Sequence, residues 1–185
     1  MKQKETERIK DFISIAEKVR QSRFITENQG ANYSLSVELG KPVTQTVTGF
    51  DENDLRSMLL DLRKFTLEKD GVRFTDICDL LLQSTSDQTI IKNVNACREQ
   101  YDKLMQNSAI KLVIDGTVED NMKILKTWFY GHYFHEQPNH KNNLVKLGIG
   151  TQLHKFNFVQ AVDDLSVLSC ILANNAKLVL NQEQN

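Results

Sequence analysis

The sequence predicts a mainly α fold of the α+β kind: a bundle of about six helices carrying one β-hairpin near residues 32–49. Three observations predict it. Apolar residues recur at spacings of three and four along most of the chain, the period of a helix with one buried face. One stretch alternates apolar and polar residues instead, which is the period of a strand. The 185 residues are 40% hydrophobic and 25% charged, with only 8 Gly and 2 Pro, so the chain is long and apolar enough to close one core. No internal repeat or linker divides it, and residues 1–185 read as a single domain.

Taken in order, Ile9, Phe12, Ile13, Ala16 and Val19 define an amphipathic helix over about 5–24. It is basic, with Lys2, Lys4, Arg8, Lys10, Lys18, Arg20 and Arg23 set against Glu5, Glu7, Asp11 and Glu17. Tyr33, Leu35, Val37 and Leu39 then alternate with polar residues. Gly40-Lys41-Pro42 turns the chain into the β-branched run Val43–Thr48. An isolated hairpin is marginal in water, so this one must pack on helices or extend a partner's sheet.

A helical core over 51–180 follows. Asp51 caps its first helix and Phe50 staples to Leu55. Leu55, Met58, Leu59, Leu62 and Phe65 face inward, and Asp70-Gly71 ends the helix. Thr75 opens a short helix through Ile77, Leu80 and Leu81, and Ser84-Thr85-Ser86-Asp87 is a turn that can cap the next helix, although a helix-turn-helix would count the whole stretch Leu82–Asp87 as its turn. In the next helix Ile90, Val94, Cys97, Tyr101 and Leu104 recur at spacings of four and three, as in a bundle. Ile110–Ile114 fits a third strand or a continued helix. Thr117-Val118-Glu119-Asp120 resembles a capping box that opens a helix through Met122, Leu125 and Phe129 to about His132. Residues 136–154 read as loop. A last helix over about 157–180 carries Phe158, Val162, Leu165, Leu172, Ala176 and Val179 on one face.

Composition narrows the functional classes. A net charge of −1 argues against a polybasic nucleic-acid coat or membrane binder. Cys78, Cys97 and Cys170 are few, widely spaced and set among apolar residues, as expected of free thiols in a reducing cytoplasm. No run reaches the roughly 18–20 apolar residues of a membrane span, and no secretory leader is read. The expected location is therefore cytoplasmic, and the wealth of Asn, Lys and Ile suits a prokaryotic or phage genome. Walker A loops, dinucleotide-binding glycine motifs and nucleophile elbows are all absent, which lowers the expectation of an enzyme.

Two stretches hold residues with chemistry. Residues 128–140 contain 5 of the 14 aromatic residues and three of the 4 His. His132, His135, Glu136 and His140 could ligate a transition metal whose open position would activate water. The spacing matches no established metalloprotease motif, and histidines at a helix end also serve simply as favourable cations there. Tyr130, His132 and Tyr133 could alternatively stack single-stranded bases, with Lys141, Lys146 and Lys155 near phosphate. The second stretch, 75–94, resembles a helix-turn-helix, with Gln88, Thr89, Lys92 and Asn93 as base or phosphate readers and Cys78 in a small buried position. Its turn lacks Gly and reads as too long, and Asp76, Asp79 and Asp87 would sit near phosphate.

The first functional reading is a non-enzymatic interaction or regulatory protein. Its partner is a second copy of itself or another protein, and not a membrane. The second is a helix-turn-helix-like DNA-binding regulator using 75–94. The third is a metal-dependent hydrolase or nuclease at the histidine cluster.

Overall fold

The computed structural model describes residues 1–20, 52–66, 72–130 and 152–184. The hairpin expected at 32–49, the Asp51 cap, the Asp70-Gly71 stop and the cluster His132, His135, Glu136 and His140 all lie outside the described residues. Within them the chain forms seven helices and no strand. These are α1 (Gln3–Arg20), α2 (Glu52–Thr66), α3 (Phe74–Ser84), α4 (Gln88–Leu104), α5 (Ser108–Ile114), α6 (Val118–Tyr130) and α7 (Gln152–Gln184). No helix among the described residues is long and apolar enough to cross a membrane.

The 33-residue α7 organises the bundle. At 1.5 Å per residue it is about 50 Å long, enough to run the full depth of a small domain. Phe158, Val162, Leu165, Ser169, Leu172, Ala176 and Val179 alternate at spacings of four and three and are all buried, so one seam runs nearly its whole length. The helix starts five residues earlier than its apolar face predicts, at Gln152, and so takes in residues 152–154, which the sequence reading gave to a loop.

Helices α1 and α4 lie along opposite flanks of α7, and both run antiparallel to it. For α1, the Met1 amino group meets Glu183 at 3.6 Å, Cys170 Sγ lies 3.9 Å from the Ala16 carbonyl, and Arg20 pairs with Asp163 at 3.1 Å. For α4, Gln182 donates to Asp87 at 3.2 Å and Asn93 donates to Asn175 at 3.3 Å. Small residues stand at the contact with α1, where Cys170 meets the buried Ala16. Helix α3 packs beneath and touches α1, α4 and α7.

Aromatic rings join four of the helices. Phe12 of α1 lies 5.3 Å from Phe65 of α2 and 6.0 Å from Phe74 of α3. Phe74 stacks on Tyr101 of α4 at 4.5 Å, and the Tyr101 hydroxyl donates to the Phe65 carbonyl at 3.4 Å. Helix α2 is further tied to α1 by Lys18–Asp61 at 3.2 Å and to α6 by Arg56–Glu119 at 3.2 Å.

The ambiguous run Ile110–Ile114 is a helix. Asn107 accepts from the N–H groups of Ala109 and Ile110 at 2.9 and 3.1 Å, and Ala109, Ile110 and Val113 share a buried face at helical spacing. Arg63 donates to the carbonyls of Ile114 and Gly116 at 3.4 and 3.1 Å, which satisfies the end of α5 with a cation. The expected cap of α6 is present: Thr117 Oγ1 accepts from the Asp120 N–H at 3.2 Å.

Candidate functional site

The α3–α4 unit comes first because the sequence singled it out. Helix α3 continues through Leu82, Gln83 and Ser84, so the connection is the three residues Thr85–Asp87, one shorter than the expected turn Ser84–Asp87 and half the six-residue stretch counted for a helix-turn-helix. The reason is local. The Ser84 hydroxyl bonds back to the Leu80 carbonyl at 2.7 Å and completes a last helical turn. Thr85 then leaves in an extended conformation. Its hydroxyl accepts from the Asp87 N–H at 3.1 Å, which bends the chain without a glycine. Asp87 caps α4, accepting from Thr89 and Ile90 N–H at 2.9 and 3.3 Å.

Gln88, Thr89, Lys92 and Asn93 all lie exposed on the first turns of α4. Asn93 is engaged with Asn175, and the turn itself is held by Gln182 from α7 through Thr85 and Asp87. The acids of α3 are held in ion pairs: Asp76 with Arg73 at 3.2 Å, and Asp79 with Arg98, whose guanidinium is pushed up by that hydrogen bond. Lys92 is the one cation among the four predicted readers.

The thiols are not poised for chemistry. Cys78 and Cys97 are buried on α3 and α4, and burial pushes Cys78 up to about 12 and Cys97 upward as well. Cys170, partly buried between α7 and α1, is raised by the same desolvation. A thiol held neutral is a poor nucleophile and a poor metal ligand. Among the described residues no three His, Cys, Asp or Glu side chains are placed to share a metal ion.

A feature not found from the sequence lies on α7. That helix packs on α3, α5 and α6 and its flanks are taken by α1 and α4, and among the described residues no helix covers the side between those two. On that side Val167, Ile171 and Leu178 are 40, 44 and 52% exposed. They form a row with the exposed Asn174, with Asp164 at one end. Where the row meets α4, a shallow groove of about 280 Å³ is lined by Gln100, Leu104, Asp164, Val167, Leu168 and Ile171. Spacing puts 167, 171 and 178 on one helical face offset from the core seam, but does not say that this face is exposed.

No family model, curated protein or solved structure matches this chain.

Proposed function

We propose that this chain is a non-enzymatic interaction protein that works by burying the open side of α7 against another polypeptide. The observation that supports this reading is the row Val167, Ile171 and Leu178 beside the α4–α7 groove. A single exposed aliphatic residue is ordinary on any surface, but three in line on one helix, two of them lining a groove, with uncharged Asn174 and Gln100 nearby and charges at the margin, have the make-up of an interface core and rim. The chemistry is burial of apolar area. A photo-crosslinking residue placed at Val167 or Leu178 in the full chain, expressed in its own cells, is expected to give a discrete protein adduct. The same residue at exposed Lys111 on α5 is expected to give none. Adducts absent from both row positions, or equal at all three, overturn the proposal.

A second reading, DNA binding through α3 and α4, is favoured by one observation. The connection Thr85–Asp87 has the length a helix-turn-helix uses, and the four predicted readers are exposed on the second helix. Affinity for duplex DNA should then fall steeply with salt and drop further on Lys92→Glu. Binding that ignores either change removes this reading.

A further inference from the structure

We infer that Cys78 of α3 and Cys97 of α4 form one dithiol pair, which hydrogen peroxide closes to a disulfide that locks the two helices together. This is independent of the interaction reading above. Contacts on either side of the pair fix its geometry. Helices α3 and α4 run antiparallel across their short connection, and Phe74 stacks on Tyr101 at 4.5 Å. One helical turn nearer the connection, four residues on from Phe74 and four back from Tyr101, stand Cys78 and Cys97. The next residue on each helix, Asp79 and Arg98, joins the other in an ion pair. The two thiols therefore stand at one level. Their direction follows as well. In antiparallel helices a step of one residue turns both side chains to the same side of the line of contact. Asp79 and Arg98 are 48 and 37% exposed and lie on the solvent side, whereas Cys78 and Cys97 are 0 and 3% exposed and lie together on the core side. Burial first, and then the neighbouring Cys97, raises the Cys78 thiol. Helices packed about 8–10 Å apart bring the Cα atoms of such positions to roughly 5–7 Å, the separation a disulfide spans.

Peroxide is small and uncharged, so it suits a pair set in a core. The thiolate of Cys97, the less buried of the two, attacks one peroxide oxygen. The O–O bond breaks, the other oxygen leaves as hydroxide, and Cys97 becomes a sulfenic acid. The thiolate of Cys78 then attacks the Cys97 sulfur, the S–O bond breaks, and a second hydroxide leaves. The two thiol protons end on the two hydroxides, so two thiols and one peroxide give one disulfide and two waters. Burial holds both thiols neutral, which makes the first step slow without blocking it. The bridge therefore records sustained oxidant and not a brief pulse. Cys170 lies against Ala16 of α1, a helix that carries no thiol, and gains no such partner.

The test is hydrogen peroxide added to the purified full chain in native buffer, followed by a maleimide quench in urea and mass spectrometry of the intact chain and its peptides. The reduced chain should carry three maleimides, one on each cysteine. The oxidised chain should have Cys78 and Cys97 in one linked peptide, lighter by two hydrogens, with neither of them labelled. Cys78→Ala should leave at Cys97 a sulfenic acid that dimedone traps, and Cys97→Ala should form no bridge. In the wild-type chain the bridge should raise the urea midpoint, since it restricts the unfolded chain, and a thiol reductant should return the midpoint to its starting value. Cys78 and Cys97 that both still take maleimide once Cys170 is oxidised overturn the inference. So does a bridge that uses Cys170, or a linked peptide that forms only when peroxide is added in urea.

Discussion

Replacing Asp87 with Ala should cost about 2 kcal/mol, and the structure says where each part comes from. Oδ1 accepts two α4 N–H groups that have no other partner, at 2.9 and 3.3 Å. Losing such a cap costs about 1 kcal/mol. Oδ2 accepts from Gln182 at 3.2 Å, a bond on the exposed side of the turn that holds the last turns of α7 to the α3–α4 connection. A charge-assisted bond there is worth on the order of 0.5–1 kcal/mol after solvent screening. Urea unfolding followed by circular dichroism measures the sum. Asp87→Asn keeps an acceptor for the cap and should lose less than about 1 kcal/mol, since Asn and Asp cap almost equally. Gln182→Ala should lose the smaller part together with its exposed bond from Thr85, and adding it to Asp87→Ala should cost only what that Thr85 bond contributes, because the Asp87 bond is already gone. The reasoning fails if Asp87→Ala loses under about 0.5 kcal/mol, or if Asn and Ala at this position are equivalent.

Three further outcomes follow from the core. Ser169 takes an apolar position in the α7 seam, and its fully buried hydroxyl has no hydrogen-bond partner among the described residues, so Ser169→Ala should stabilise the fold by about 1 kcal/mol in urea unfolding; a loss of stability would show that the hydroxyl is satisfied. Gly116 admits no side chain, because an added Cβ would come within 2.9 Å of the buried Asn121 Oδ1; Gly116→Ala should therefore destabilise by about 1–2 kcal/mol, and a neutral result would mean that the start of α6 yields. Burial holds Cys78 and Tyr101 neutral, each pushed up to about 12 in the fold from ordinary values of 9.0 and 10.0. With both values raised, their contribution to stability is fully present below pH 9 and is lost as pH rises toward 12, so thermal midpoints should fall over that window. Cys78→Ala should make the fall shallower, and matching pH profiles for the two chains would refute the assignment.

Much of the bundle was legible because its signals are local. The buried residues Ile9, Phe12, Ala16 and Val19, and likewise Ile90, Val94, Cys97 and Tyr101, stand at helical spacing in the sequence and on one face in the structure. The Thr117 cap was legible too, since a cap needs only its own next turn. The turn was misread for a related reason. Ser84, Thr85, Ser86 and Asp87 are all turn formers, and nothing in composition says which of them ends a helix and which begins one. The outcome depends on hydroxyl bonds from Ser84 and Thr85 that sequence spacing does not encode.

The row on α7 was hidden for a different reason. A helix at the centre of a bundle is apolar on several sides, because it must satisfy several neighbours. Its pattern alone does not separate the side that meets α3 from the side that meets none of the described helices. Leu165 and Val167 are equally acceptable core residues by composition. One is buried and the other is 40% exposed because, among the described residues, α1 and α4 dock on the flanks of α7 and no helix covers the side between them. Exposure there is a property of how three helices are arranged, and no spacing within α7 alone encodes it.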